Sequence, residues 1–200
     1  MQQRIMQQKS FWDRGGQYYV TGRFAVAAGL NPVAGNLLHH AVEFLLKGAL
    51  SKTQTLDDLR KYSHKLPQLW EVFKAAIGDA ALGRFDPAIA ALHAFEDLRY
   101  PDDALKNGMA STISSHRFLA GNAGLPLPPG LPPEISADIA RRRASLPKVR
   151  AYELCLQDVD ELVEAIFAAA KTNPRLLSDG KNPRAVEVLV EGNLAAGLLK

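Results

Sequence analysis

The twenty residues Asn31–Leu50, NPVAGNLLHHAVEFLLKGAL, constrain the chain more than any other stretch. Asn31-Pro32 is a helix-start signal, Asn as cap and Pro at the first helical position. Leu37, Ala41, Leu45 and Ala49 then recur every fourth residue, and Leu38 and Phe44 widen the stripe. A face this apolar must be buried against other elements. A different face carries His40, Glu43 and Lys47 at helical spacing. Glu43 to Lys47 is the favourable i,i+4 order, about 0.2–0.5 kcal/mol on an exposed face. Two readings of that face stand level. It is solvated, or it meets Glu96 and Arg99 of a later helix in a buried network that sets the register of the bundle. A ligand pocket made from the same residues is the third reading.

The rest of the chain supplies helices to pack against it. Residues 1–9 are polar and Gln-rich and read as a frayed tail. A first helix is expected from about Ser10 to Ala28, with Trp12, Tyr19 and Val26 on one stripe, weakened early by Gly15-Gly16 and stopped by Gly29. Thr55-Leu56-Asp57-Asp58 resembles a capping box and predicts a short helix over Leu56–Lys61. Leu66, Leu69, Trp70, Phe73 and Ile77 form the apolar face of the next helix, ended by Gly78. Asp86-Pro87 opens another, with Ala88, Ile89, Leu92, Phe95 and Leu98 inward and Pro101 preventing simple continuation. Asp102-Asp103 is expected to start a short helix through Ala110.

From Ser111 the pattern changes. GNAGLPLPPGLPP sustains neither helix nor strand alternation, and residues 111–145 read as an irregular, partly polyproline-like insertion. Arg141-Arg142-Arg143 reads as a solvated helical face ahead of a phosphate or RNA contact. A long helix is expected over Leu146–Lys171, with Tyr152, Leu156, Val159, Val163 and Ile166 inward. Asn182-Pro183 restarts a helix in a C-terminal extension, 173–200, with a strand at AVEVLV as the alternative. The expected fold is all-α: an up-down bundle of four to five main helices over 10–172, with the Pro-rich insertion and a C-terminal helix.

Composition narrows the function class. The chain has 200 residues, 47% hydrophobic and 22% charged, with a formal net charge of +3. That mild basicity permits nucleic-acid contact without arguing for it, since no clustered basic face is evident. One cysteine, Cys155, rules out an intramolecular disulfide and fits a reducing cytoplasm. The N-terminus lacks an apolar signal core, and no apolar run reaches membrane-spanning length. The five histidines are His39, His40, His64, His93 and His116. Adjacent His39 and His40 do not share a helix face and are not read as paired ligands. No HExxH, CxxC or glycine-rich phosphate loop is present. The expectation is therefore no metal and no cofactor. Cys155 reads as a packed residue, His64 as a structural group at a helix start, and His93 as packing or boundary.

The ordered segments YYVTGRFAVAAGLNPVAGNLLHHAVEFLLKGAL, SHKLPQLWEVFKAAIG and RFDPAIAALHAFEDLRYPD resemble the HEPN family (higher eukaryotes and prokaryotes nucleotide-binding) over roughly residues 10–110. The helix-two polar positions, the His-x-Leu-x-x-Leu start at His64, and Arg99-Tyr100-Pro101-Asp102 carry the match. The resemblance implies a helical bundle that often dimerises. It also implies kinship with metal-independent ribonucleases whose site is an Arg followed four to six residues later by a His. Arg99 aligns with that Arg, but Tyr100–Lys106 holds no His, and His116 is too distant. The proton-transfer partner for 2′-hydroxyl attack is thus missing. Asp102 or Asp103 beside an Arg would be a poor acid. Other members resemble antitoxins or accessory partners of minimal nucleotidyltransferases, and some bind nucleotides.

The expected function is a noncatalytic HEPN-like domain acting through homodimerisation and through binding a nucleotide, RNA or a protein such as a nucleotidyltransferase. His40, Glu43, Lys47, His64, Glu96 and Arg99 are its candidate ligand-binding or polar-network residues. The alternatives are a divergent ribonuclease using Arg99 with Asp102 or Asp103, and a purely structural scaffold.

Overall fold

A computed structural model of the chain describes residues 2–99, 109–115, 132–135, 137–138, 150–177, 187 and 193. The elements run α1 (Gln2–Ala27), α2 (Asn31–Leu50), α3 (Leu56–Lys61), α4 (Leu66–Ile77), a 3-10 helix (Ala80–Phe85), α5 (Asp86–Ala94), a second 3-10 helix (Phe95–Arg99), β1 (Met109–Ser114), β2 (Arg150–Cys155), α6 (Leu156–Ala169) and a 3-10 turn (Pro174–Leu177). This is the all-α bundle expected, with a two-stranded sheet added to it.

The tail expected over residues 1–9 is helical from Gln2 onward, and Gly15-Gly16 does not interrupt α1. Packing explains why. A Cβ on Gly15 would lie 2.8 Å from Leu45 Cδ2, and one on Gly22 would lie 2.8 Å from Leu38 Cδ2. The two glycines let α1 lie close along an antiparallel α2. That contact offsets a helix-propensity cost of about 1 kcal/mol per glycine. Gly29, at φ 72°, turns the chain between the two helices.

Helix α2 is central. It packs on α1, α4, α5, α6, β1 and the Phe95–Arg99 turn. Ala34, Leu38, Ala41, Val42, Leu45 and Leu46 are all fully enclosed. Local signals set several boundaries as expected. Thr55 and Asp58 form a reciprocal capping box, and Gly78 ends α4 in the left-handed region at φ 73°. The two Asx-Pro starts work differently from expectation. Asn31 and Asp86 are themselves the first helical residues and do not cap. Tertiary partners claim their side chains instead. The Asn31 amide donates to the Ser111 carbonyl at 3.3 Å, and the Asp86 carboxylate accepts from the Trp70 indole at 2.6 Å.

The sheet corrects two further expectations. Residues 111–114 are strand rather than irregular chain, and the last long helix begins at Leu156 rather than Leu146. β1 and β2 are parallel, from Met109 opposite Arg150 to Ser114 opposite Cys155. Tyr152 and Leu154 are buried while Ala151 and Glu153 are exposed, the alternation of a half-buried strand. Tyr152 does face inward as read, but from a strand. A parallel pair needs a long crossover, so no local turn signal announces it.

Met109 and Ala110, expected to close the helix begun at Asp102, are strand instead, while the rest of that helix, His116, most of the Pro-rich insertion, Arg141–Arg143 and most of the C-terminal helix lie outside the described residues. Among the described residues, no helix is long and apolar enough to cross a membrane.

Candidate functional site

A helix brings residues i, i+4 and i+8 onto one line. On α2 that line is His39, Glu43 and Lys47, all buried in the bundle. Glu43 is its hub. Lys47 Nζ donates to Oε1 at 2.5 Å. Around Oε2 stand three imidazole nitrogens: His64 Nδ1 at 3.1 Å, His40 Nδ1 at 3.5 Å and His39 Nε2 at 3.9 Å. Burial by itself would raise the Glu43 carboxyl. Hydrogen bonds from His40 and Lys47, the Lys47 charge and the His64 contact outweigh it and hold the pKa at about 2. Glu43 is therefore ionised at neutral pH.

His64 enters from the turn between α3 and α4. Ser63, just before it, has φ 46°, a left-handed conformation unusual for a residue with a Cβ. The Ser63 carbonyl accepts from Lys47 Nζ at 3.3 Å. Such backbone costs on the order of 1 kcal/mol or more and persists where neighbours over-determine it. Here the lysine anchors the turn that presents His64.

His39 connects this hub to the Phe95–Arg99 turn. Its Nδ1 lies 3.2 Å from the Leu92 carbonyl. A carbonyl only accepts, so Nδ1 carries the proton and Nε2 presents a lone pair. That Nε2 is 3.7 Å from Glu96 Oε2, and both atoms are buried without a hydrogen-bond partner. Burial lowers the His39 pKa, against the opposing pull of Glu96, the Leu92 carbonyl and Glu43. Glu96 Oε1 accepts from Arg99. The His93 ring stacks on His39 with centroids 6.0 Å apart.

The structure thus gathers His40, Glu43, Lys47 and His64, and it links Glu96 and Arg99 to them through His39. Glu43 and Lys47 form the buried network, not a solvated face. The reading of His39 and His40 as unable to act together needs correction. They diverge around the helix, but Glu43 is i+4 from one and i+3 from the other, so both imidazoles reach it. The spacing His39-Glu43-Lys47 is visible in the sequence and is the signal that would have added His39 to the set. Solvent reaches the centre most at His64, 49% exposed, and Arg99, 35%, and less at His40 and Glu96. Asp102 and Asp103 lie outside the described residues.

A second polar contact holds the bundle together away from this centre. Asp160 of α6 accepts from the Tyr19 hydroxyl at 2.5 Å and from Arg23, both on α1. All three are buried. Burial pushes the Asp160 carboxyl above its ordinary range despite the guanidinium beside it. Cys155 is buried at the junction of β2 and α6, a packed residue as read. A surface groove of about 530 Å³ lies elsewhere, between the Ala80–Phe85 helix and α6, and none of the His-Glu residues lines it.

Comparison of the chain with family models, curated proteins and solved structures finds no match. What the site does must therefore be argued from its own residues.

Proposed function

We propose that this chain is a noncatalytic HEPN-like helical domain that acts through self-association and through binding a nucleotide or RNA at the rim of the Glu43 centre. One observation carries the reading: a largely buried charge network meets solvent chiefly at a histidine and an arginine. Lys47 and Arg99 are each held by a carboxylate, and His39 is fixed by a backbone carbonyl. Groups tied in this way position a surface more readily than they move protons. Arg60, Lys61 and Lys65 are exposed near His64 in the chain, Arg60 and Lys61 paired with Asp57 and Asp58, and they add positive charge on that side. Self-association is supported by Phe24, Leu30 and Val33, large apolar side chains exposed on either side of the α1–α2 turn.

The test is a thermal-shift series with ATP, GTP and a single-stranded RNA at low and high salt, read beside light scattering. A phosphate ligand at 100 times its Kd stabilises the fold by about 2.7 kcal/mol. The shift is expected to fall with salt and to disappear in His64→Ala. No shift with any ligand would refute the binding reading, and a monomer at micromolar concentration would refute self-association. RNA cleavage abolished by Arg99→Ala would replace this reading with the ribonuclease alternative, and binding of a protein alone would favour the partner role.

A further inference from the structure

We infer that His39, His40, Glu43 and His64 form a binding site for one divalent transition-metal ion of the zinc class. One ligand atom from each lies within 4.8 Å of every other. Bonds of about 2.0–2.1 Å in a tetrahedral zinc site put neighbouring ligand atoms roughly 3.3 Å apart. The three nitrogens around Glu43 Oε2 stand at 3.1, 3.5 and 3.9 Å, bracketing that edge length. The nitrogen–nitrogen edges are at most 4.8 Å, so closure on an ion draws the imidazoles together by no more than about 1.5 Å.

The second, independent observation is His39. Its ring is fully buried and its Nε2 has no hydrogen-bond partner. With Nδ1 donating to Leu92, that nitrogen offers a lone pair toward Glu43 Oε2 and toward Glu96 Oε2, itself unpartnered. Acceptors facing one another in a buried space repel, and each unsatisfied polar atom is costly there. A cation between His39 and Glu43 turns that repulsion into coordination.

The outer contacts suit the same ion. A metal-bound imidazole characteristically gives its other N–H to a carbonyl or carboxylate, as His39 does to Leu92. Lys47 occupies Glu43 Oε1 and leaves Oε2 as a single-oxygen ligand. Arg99 holds Glu96 Oε1, which keeps Oε2 turned toward His39. Three imidazoles and one carboxylate oxygen are a donor set for zinc and its neighbours; magnesium and calcium prefer oxygen. The ion enters at His64, the most exposed of the four ligands. The site does not depend on phosphate binding at the rim, since all four ligands belong to the chain.

The test uses the full chain, stripped with chelator and free of nucleotide and RNA. Calorimetric titration with Zn2+ is expected to show one ion per chain. Co2+ is expected to give the intense visible absorption of a tetrahedral site. His64→Ala and His40→Ala are each expected to weaken Zn2+ by at least the roughly 10–100-fold that loss of a supporting contact costs. Circular dichroism shows whether each variant is folded, and His93→Gln, which removes only a stacking neighbour, retains binding. Failure of the wild type to take up one equivalent at micromolar concentration overturns the proposal. So does uptake that both folded histidine variants leave unchanged. Nucleotide or RNA shifts measured in the same chelated protein report on the phosphate reading alone.

Discussion

Alanine at position 35 sets two effects of known sign against each other. Gly35 lies inside α2, where alanine is favoured over glycine by about 0.8–1.0 kcal/mol. A Cβ there would sit 1.9 Å from Phe95 Cδ1, 2.4 Å from Cγ and 2.5 Å from Cε1. Carbon pairs prefer roughly 3.5–4.0 Å, so the ring must withdraw by more than an ångström. Phe95 is fully enclosed and has no open side to withdraw into. Overpacking costs about 1–3 kcal/mol in such cores, and this overlap belongs at the upper end. Subtracting the propensity gain leaves Gly35→Ala destabilising by about 2 kcal/mol. For a chain of this size that is a fall of roughly 4–8 °C in Tm. Urea unfolding gives the free energy directly, and two controls fix its origin. Gly83→Ala, where a Cβ meets nothing within 4 Å, is expected to be neutral or slightly stabilising. Gly35→Ala combined with Phe95→Ala is expected to cost less than the two single changes together, because the small side chain removes the overlap. A Gly35→Ala protein as stable as the wild type would refute the placement of the Phe95 ring on α2. It would also undermine the position of Glu96, the next residue.

Two further outcomes follow from the buried polar groups. Asp160→Ala removes the carboxylate from the buried Arg23 guanidinium and the Tyr19 hydroxyl, and is expected to cost about 3–5 kcal/mol in urea unfolding, whereas a loss under 1 kcal/mol would mean that water reaches the pair. Glu43, with a folded pKa of about 2 against an ordinary 4.5, contributes stability that is fully present above pH 4.5 and is lost as pH falls toward 2. The linkage amounts to about 3 kcal/mol. In chelated protein, Glu43→Gln is therefore expected to flatten the acid side of the stability–pH curve, and curves that stay parallel below pH 4.5 would remove Glu43 from that role.

How far the sequence reached depended on distance along the chain. Gly29 and Gly78 ended their helices as read, because a glycine free to take φ near 72° acts on its own turn. The Thr55–Asp58 box and the α2 apolar stripe were legible for the same reason: their partners lie within a turn or two. His40, Glu43 and Lys47 were visible as a set, but whether water or protein faced them was not, since that depends on the helices opposite.

What the sequence by itself determined is the helical character of the chain, the position of α2 and the set His40, Glu43 and Lys47 on its polar side. Tertiary structure alone decided the rest. Tyr19 and Arg23 meet Asp160 from 141 and 137 residues away. β1 finds β2 in parallel across a crossover that leaves no local trace. α1 runs on through Gly15-Gly16, and Gly15 and Gly22 admit Leu45 and Leu38 of α2. His64 and Glu96 close on His39 and Glu43 from separate turns. Periodicity and capping energies act over a few residues, whereas these contacts are selected by burial, which is a property of the assembled bundle.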